Sequence, residues 1–214
     1  MLVVERLFRR SEIGRMPDFC FGGVHMINSV RLKLSNGYYE IVAGTDFCVL
    51  SDTQEHLQYE DRGVGYIESD SCAGIGGINL ITIPKDSGFN SFIVYLENGA
   101  IKAPSINAHK IYIELKNSAG EFDGLKADKI GLSLGKGSLR ANVNNARELN
   151  IDCGMGNMDI RLGRKESSYK ITSKHGMGVV NLNSKTLPRV YETENGENYV
   201  NIICGMGGVN INTL

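Results

Sequence analysis

Residues 130–141 read Ile-Gly-Leu-Ser-Leu-Gly-Lys-Gly-Ser-Leu-Arg-Ala, and this stretch contains the pattern that decides the fold. Apolar side chains occupy alternate positions before Gly137, and again two and four residues after it. A period of two is typical of a β-strand with one buried face. The template recurs eight times along the chain, around Gly37, Gly76, Gly99, Gly120, Gly137, Gly156, Gly178 and Gly207.

The spacing of these glycines predicts how the strands are arranged. From Gly76 onward they are about twenty residues apart, which at ~3.3 Å per residue is enough chain for one coil of a parallel β-helix. We therefore predict an all-β fold over residues 28–214: a single-stranded, right-handed parallel β-helix, or β-solenoid, with coils of about twenty residues. The longer interval between Gly37 and Gly76 contains either an extra coil or a hairpin.

Residues 1–27 precede the first repeat and are predicted to form a separate extension. Solenoids need their ends covered, so the segment is expected to cap the first coil. Its arginines, among them Arg6, Arg9 and Arg10, also allow a basic amphipathic helix lying on a membrane.

Composition argues against several classes of protein. Lys and Arg number 23 against 24 Asp and Glu, so no strong field attracts nucleic acid. The chain contains no run of ~18 apolar residues, so no transmembrane segment is predicted. The N-terminus lacks the apolar stretch of a signal peptide. These features predict a cytoplasmic location, with the cell surface as the alternative. The 5 cysteines form no CxxC pair, which favours reduced, buried thiols over a disulfide framework or zinc site.

With the repeat laid out, the chain resembles the bacterial β-strand-repeat domains commonly labelled putative adhesins. The resemblance is carried by the stretches Val30–Ile41 and Ile81–Phe89 and by the repeats through Asn210. It implies a right-handed β-helix and an adhesin-like role in the sense of that label. The label itself specifies no ligand.

Three Gly-Met-Gly triplets, at residues 154–156, 176–178 and 205–207, resemble the start of a dinucleotide-binding fingerprint. The third glycine is missing and no helical pattern follows, so corner glycines explain the triplets better. Residues 131–138 likewise lack the spacing of a phosphate-binding loop. No cofactor is predicted.

Cys153, His175 and Cys204 occupy equivalent inward positions in successive repeats. Coils stack ~4.8 Å apart, so Cys153 and Cys204 are expected ~9.6 Å apart with His175 between them, too far for a disulfide. Three ligands in a line make a poor zinc site. The expectation is a buried, neutral histidine bonded to Ser173 or to the backbone, and no metal.

A column of outward residues, three positions beyond each glycine, is the best place for an enzyme site. It contains Glu40, Asn79, Lys102, Asp123, Arg140, Asp159, Asn181 and Asn210. Charge alternates in sign from Lys102 to Asp159, which is typical of an ion-pair ladder on a solvent-exposed face. Asp123 and Asp159 would be the acids of a carbohydrate-active enzyme, the less favoured interpretation. We predict no catalytic residues.

The C-terminal end carries two further predictions. Ser184–Glu197 lengthens one interval and is expected to bulge out, as an inert insertion or a binding loop. The last template copy ends at Ile211, so the final coil should expose unpaired strand groups. This predicts a homodimer through the C-terminal coils, around Val209 and Ile211, unless the Ser184–Glu197 loop covers that edge.

Three functions are compatible with these features. The first is a non-enzymatic interaction or scaffold protein with a protein or glycan partner. The second is a self-assembling cytoplasmic scaffold similar to bactofilins. The third is the carbohydrate-active β-helix enzyme described above.

Overall fold

The computed structural model describes residues 27–51, 56–69, 78–85 and 88–214. Within these ranges the protein is all-β, and its strands join in one large, mostly parallel sheet. The helical content of the described ranges is a single 3-10 turn, Glu166–Ser168. No helix of the described chain is both long and apolar enough to cross a membrane. The all-β prediction is confirmed.

The strands, in chain order, are β1 (Ser29–Gly44), β2 (Cys48–Ser51), β3 (His56–Asp61), β4 (Val64–Ser69), β5 (Ile78–Pro84), β6 (Phe89–Lys126), β7 (Lys129–Asn145), β8 (Glu148–Cys153), β9 (Asn157–Leu162), β10 (Tyr169–His175), β11 (Val179–Leu182), β12 (Lys185–Thr186), β13 (Val190–Glu192), β14 (Asn198–Cys204) and β15 (Gly208–Asn212).

Equivalent repeat positions pair side by side, in parallel. Ile111 of β6 pairs with Ile130 of β7, and Ile130 pairs with Leu149 of β8. These side chains are buried, and each fully buried aliphatic side chain contributes about 1.5–3 kcal/mol. We call each stretch that crosses the sheet once a rung. The rungs are residues 29–44, 64–69 together with 78–84, 89–107, 110–126, 129–145, 148–162, 169–182 and 198–212.

Two repeat positions were assigned in the wrong register. Ser118, not Gly120, pairs with Gly137, and Gly120 pairs with Leu139. Asn79 pairs with Tyr39 and is fully buried, so it does not lie in the outward column. Its amide donates a hydrogen bond to the carbonyl of Tyr38, at 3.1 Å, which offsets part of the cost of burial.

The rungs do not stack in chain order. The last rung, 198–212, lies between rungs 148–162 and 169–182, because β14 pairs with both β8 and β10 while β15 pairs with both β9 and β11. The other end has the same arrangement, since β1 pairs with β6 on one side and with β4 and β5 on the other. The final rung is therefore not an open edge, and a homodimer through Val209 and Ile211 loses its structural basis.

Short antiparallel strands cover both ends of the stack. At the C-terminal end, β12 pairs with β11 and β13 pairs with β10, so the Ser184–Glu197 segment folds over the outermost rung instead of bulging outward. At the other end, β2 pairs with β5 and β3 with β4. The interval between Gly37 and Gly76 thus contains a hairpin, β3–β4, together with β2. The N-terminal extension, residues 1–27, lies outside the described residues except for Ile27.

Candidate binding face

The first halves of four neighbouring rungs, together with strand β3, present an outward surface that we call the tyrosine face: Arg31, Lys33, Tyr59, Tyr66, Glu68, Tyr95, Glu97, Tyr112, Glu114 and Lys116. Apart from Tyr59 of β3, each of these residues is next to a buried one along its strand, so the strand period directs them to solvent. Parallel pairing then places them in rows that run across the rungs.

One end of the face is a stacked pair of tyrosines. Tyr59 of β3 and Tyr66 of β4 pair across the hairpin, and their rings lie 4.6 Å apart with an angle of 5° between their planes. The guanidinium carbon of Arg31, from the next rung, lies 5.9 Å from the centroid of Tyr66. This cation–π contact extends the flat aromatic surface by one rung.

A second pair of tyrosines continues the face. The rings of Tyr95 and Tyr112 lie 5.8 Å apart, tilted by 56°. The Tyr112 hydroxyl donates a hydrogen bond to Oε2 of Glu114 at 3.1 Å. Burial, followed by the interaction with Glu114, raises the pKa of Tyr112 to about 12. The hydroxyl therefore stays protonated and is held in place.

Charged side chains border the rings. Nζ of Lys116 donates to Oε1 of Glu97 at 2.7 Å, and this bond raises the pKa of Lys116. Lys33 pairs in register with Glu68 on one side and with Tyr95 on the other. Opposite charges in adjacent rungs attract, so the charged rim stabilises the parallel register.

A cleft of about 570 Å³ opens on this face, lined by Lys33, Leu34, Ser35, Ser69, Tyr95, Leu96, Glu97, Glu114 and Lys116. Flat apolar rings beside carboxylates and ammonium groups can bind a ligand that has both apolar faces and hydroxyls. The sequence pattern alone did not identify this face. Reading the outward residues between the inward ones, rather than one column alone, would have found Tyr95 and Tyr112.

The residues of the charged column are not all the ones that the sequence predicted. It runs Leu80, Glu40, Lys102, Glu121, Arg140, Asp159, Asn210 and Asn181, following the strand registers. Glu121 replaces Asp123, and its carboxylate lies 4.0 Å from Nζ of Lys102. The alternation of charge is retained and extends to Glu40. The ladder interpretation is therefore consistent with the structure, but two of the assigned members, Asn79 and Asp123, were wrong.

Asp159 ends the charged part of the column and begins a chain of side-chain hydrogen bonds. Nδ2 of Asn210 donates to Oδ1 of Asp159 at 2.9 Å, and Nδ2 of Asn181 donates to Oδ1 of Asn210 at 2.8 Å. The hydroxyl of Thr186 in the cap then donates to Asn181 at 2.8 Å. Asp159 thus has Arg140 and Asn210 as column neighbours, and Asp123 lies outside the column.

The cysteine and histidine column has a different order from the one expected. Because rung 198–212 is inserted, Cys204 pairs with both Cys153 and His175, and the two thiols are neighbours. Burial raises the pKa of Cys153 to about 12, with the Cys204 thiol as a further cause, and burial also raises the pKa of Cys204.

His175 is only partly buried, and its Nε2 donates to the carbonyl of Leu187 at 3.3 Å. Within the described ranges, no three or more His, Cys, Asp or Glu side chains converge to hold a metal.

No protein-family model matches the chain, and no curated protein does. The solved structures that are similar to it include two bacterial proteins. One is a putative cell adhesion protein from Clostridium sporogenes, with 18% identity, 88% of this chain and 94% of that chain covered, and a TM-score of 0.47. The other is a putative adhesin from Bacteroides fragilis, with 11% identity, 88% and 92% covered, and a TM-score of 0.40. Both TM-scores lie below 0.5, so neither similarity supports an inference about what this chain does.

Proposed function

We propose that the chain is a non-enzymatic, adhesin-like interaction protein that winds as a β-solenoid and binds a glycan on its tyrosine face. The solenoid part of the proposal is supported by the registers, in which parallel partners are equivalent positions of successive repeats. The adhesin-like part rests on the sequence motifs. Right-handedness and a cytoplasmic location remain predictions.

The pairing of Tyr95 with Tyr112 carries the binding proposal. Aromatic rings on a solvent-exposed strand face expose apolar area that would otherwise favour burial. Tyr95 lines the cleft, where Glu97, Glu114 and Lys116 supply hydrogen-bonding groups. The ring of Tyr112 lies 5.8 Å from that of Tyr95, and its hydroxyl donates to Glu114. Sugar rings combine apolar C–H faces with hydroxyls, and so they match this combination of rings and carboxylates. A rigid row of rungs would present the site without a large ordering cost.

The enzyme alternative is less well supported by the same structure. Glycoside-cleaving enzymes use a pair of carboxyl groups that flank the scissile bond. In the charged column each acid has a basic neighbour, with Glu121 between Lys102 and Arg140. Such an arrangement favours fixed ion pairs over a proton donor and a base held free for substrate.

The bactofilin-like alternative requires rungs of one copy to stack on those of another. Antiparallel strands β12 and β13 cover the outermost rung at one end, and β2 and β3 cover the other. Short antiparallel edge strands are a common means of preventing further parallel addition. This feature favours a discrete particle over a filament.

Affinity electrophoresis through gels that contain soluble polysaccharides tests the proposal. A panel of pectin, xylan, β-glucan and mucin should include at least one that retards the protein. The double variant Tyr95→Ala, Tyr112→Ala should lose that retardation. Tyr199→Ala is the matched control, because Tyr199 is 52% exposed but lies on rung 198–212. Equal retardation of all three proteins, or retardation of none, would overturn the proposal. Release of new reducing ends that Asp159→Asn abolishes would establish the enzyme instead.

A further inference from the structure

Three methionines lie side by side at one corner of the sheet. Met206 N donates to the carbonyl of Gly154 at 2.8 Å, and Gly178 N donates to the carbonyl of Gly205 at 2.8 Å. These bonds align the three Gly-Met-Gly triplets in adjacent rungs, in the spatial order Met155, Met206, Met177. We call these three residues the methionine corner.

The fold itself does not require methionine at this corner. The same column continues into the preceding rungs as Lys136, Asn117, Asn98 and Asn36, each immediately before a corner residue. There, Nδ2 of Asn98 donates to Asn36 at 2.9 Å, and Nδ2 of Asn117 donates to Asn98 at 3.3 Å. Asparagine side chains at this position therefore bind one another in a ladder of hydrogen bonds that runs across the rungs. The change from asparagine to three methionines needs a different explanation.

The three side chains project into solvent. Met155 is 48% exposed, Met206 54% and Met177 78%. By contrast, Met158, which lies two residues after Gly156, is fully buried. Methionine in a folded protein is usually a core residue, as Met158 is. Glycines on both sides of each methionine remove the Cβ atoms that would crowd its thioether.

The spacing allows the three sulfurs to meet at one ion. Adjacent rungs lie ~4.8 Å apart, and methionine has three flexible side-chain torsions, so the outer two can lean toward the middle one. Thioether sulfur is a neutral, soft ligand, and soft ligands select Cu(I) over harder cations. The column contains no carboxylate, and its next member, Lys136, is itself a cation.

Two thiols lie beneath the same corner. Sγ of Cys204 lies 2.8 Å from the position that a Cβ on Gly178 would occupy, and Sγ of Cys153 lies 3.0 Å from that of Gly207. Both thiols are buried, with Cys153 0% and Cys204 2% exposed, whereas the three thioethers project into solvent. The outward thioethers are therefore the sulfur ligands that a dissolved ion can reach.

We propose that Met155, Met206 and Met177 form a surface site for one soft monovalent metal ion, Cu(I), bound through three thioethers. The site is independent of the tyrosine face and of glycan binding. Because thioethers carry no proton, Cu(I) affinity is expected to stay constant between pH 5 and pH 8. Binding through thiols would instead strengthen as pH rises, since the thiolate is the ligand.

Anaerobic titration of the full chain against a colorimetric Cu(I) chelator tests this site. The expected result is one Cu(I) per chain, at least tenfold weaker binding in each of Met155→Leu, Met177→Leu and Met206→Leu, and none in the triple variant. Leucine is close to methionine in volume, so these exposed changes should preserve the fold. Met158→Leu is the control and should bind as the unaltered chain does.

A second readout uses Ag(I) and chains labelled with ¹³C at the methionine methyl groups. Signals of Met155, Met177 and Met206 should shift together and saturate at one equivalent, while that of Met158 stays fixed. Wild-type affinity in the triple variant would overturn the proposal. So would loss of binding in Cys153→Ala, Cys204→Ala combined with retention in the triple variant, because the thiols would then be the ligands.

Discussion

At the scale of single residues, two corner glycines are among the most constrained positions. Gly99 has φ of 120° and Gly137 has φ of 109°, and a Cβ on either would collide with backbone, that of Gly37 or of Ser118. Any residue with a Cβ atom is strained at these φ angles. The atoms that this Cβ would meet belong to the backbone of the neighbouring rung, which cannot rotate aside as a flexible side chain can.

Gly99→Ala and Gly137→Ala should each lower the free energy of unfolding by about 2 kcal/mol or more, because strain and the backbone collision add. Urea denaturation measures this. Gly88→Ala is the control, since its Cβ would meet only Nδ2 of Asn107, at 4.0 Å. A loss of less than about 0.5 kcal/mol in both corner variants would contradict the close approach of the rungs.

The buried thiol of Cys153 predicts a loss of stability at alkaline pH. Its pKa is raised from 9.0 to about 12, so the unfolded chain releases this proton at lower pH than the folded chain does. Between these values the folded state binds more protons, and stability falls as pH rises, by at most about 1.4 kcal/mol per pH unit for one group. Below pH 9 the contribution is fully present.

Urea denaturation from pH 8 to pH 11 should show a smaller decline in Cys153→Ala than in the unaltered chain. Val209→Ala serves as the control, because this buried side chain does not titrate. It should lower stability by a similar amount at every pH and leave the slope unchanged. An identical slope in Cys153→Ala and the unaltered chain would show that the thiol is not held protonated.

At the scale of elements, the C-terminal cap holds its place through Leu187. This side chain is buried, its N–H donates to the carbonyl of Val180 at 2.8 Å, and its carbonyl accepts from His175. Leu187→Asp would bury an unpaired carboxylate, which is costly enough to detach the cap. The outer edges of β10 and β11 would then be open to pairing with another chain.

Light scattering should therefore show concentration-dependent self-association of Leu187→Asp. Val190→Asp is the matched control: Val190 belongs to the same cap but is 71% exposed, so a charge there costs little. Association of both variants, or of neither, would argue against the cap as the element that protects this edge.

The sequence predicted the strands and most of their inward sides, because a period of two identifies one buried face; β5, where Asn79 is buried, is the exception. It could not fix the register near Gly120, since a shift of two residues leaves every inward side chain inward. It could not give the order of the rungs either: rungs share one apolar pattern, so rung 148–162 can pair with 169–182 or with 198–212 equally well. The tyrosine face depends on that order at the other end, where rung 29–44 lies between Tyr66 and Tyr95.

At the scale of the whole molecule, the inserted last rung should behave as interior structure. A strand at the edge of a sheet usually exchanges its amide hydrogens faster than a strand paired on both sides. Here Val200 and Ile202 are buried and their strand is paired on both sides.

Hydrogen exchange followed by mass spectrometry should show that peptides covering residues 198–204 exchange as slowly as those covering 148–153. Peptides from the cap, residues 185–192, should exchange faster and provide the internal control. Fast exchange at 198–204 with slow exchange at 169–175 would mean that the last rung is peripheral, contrary to the strand pairing.

The inserted rung also has a consequence for synthesis on the ribosome. Residues 169–192 emerge before residues 198–212, yet the later rung must lie between them and the body of the sheet. Until residues 198–212 have left the exit tunnel, the facing strand edges of rungs 148–162 and 169–182 have no partner. Rung 169–182 can therefore join the sheet only after residues 198–212 are outside the ribosome, and a ribosome stalled before that point would hold a chain whose sheet ends at rung 148–162.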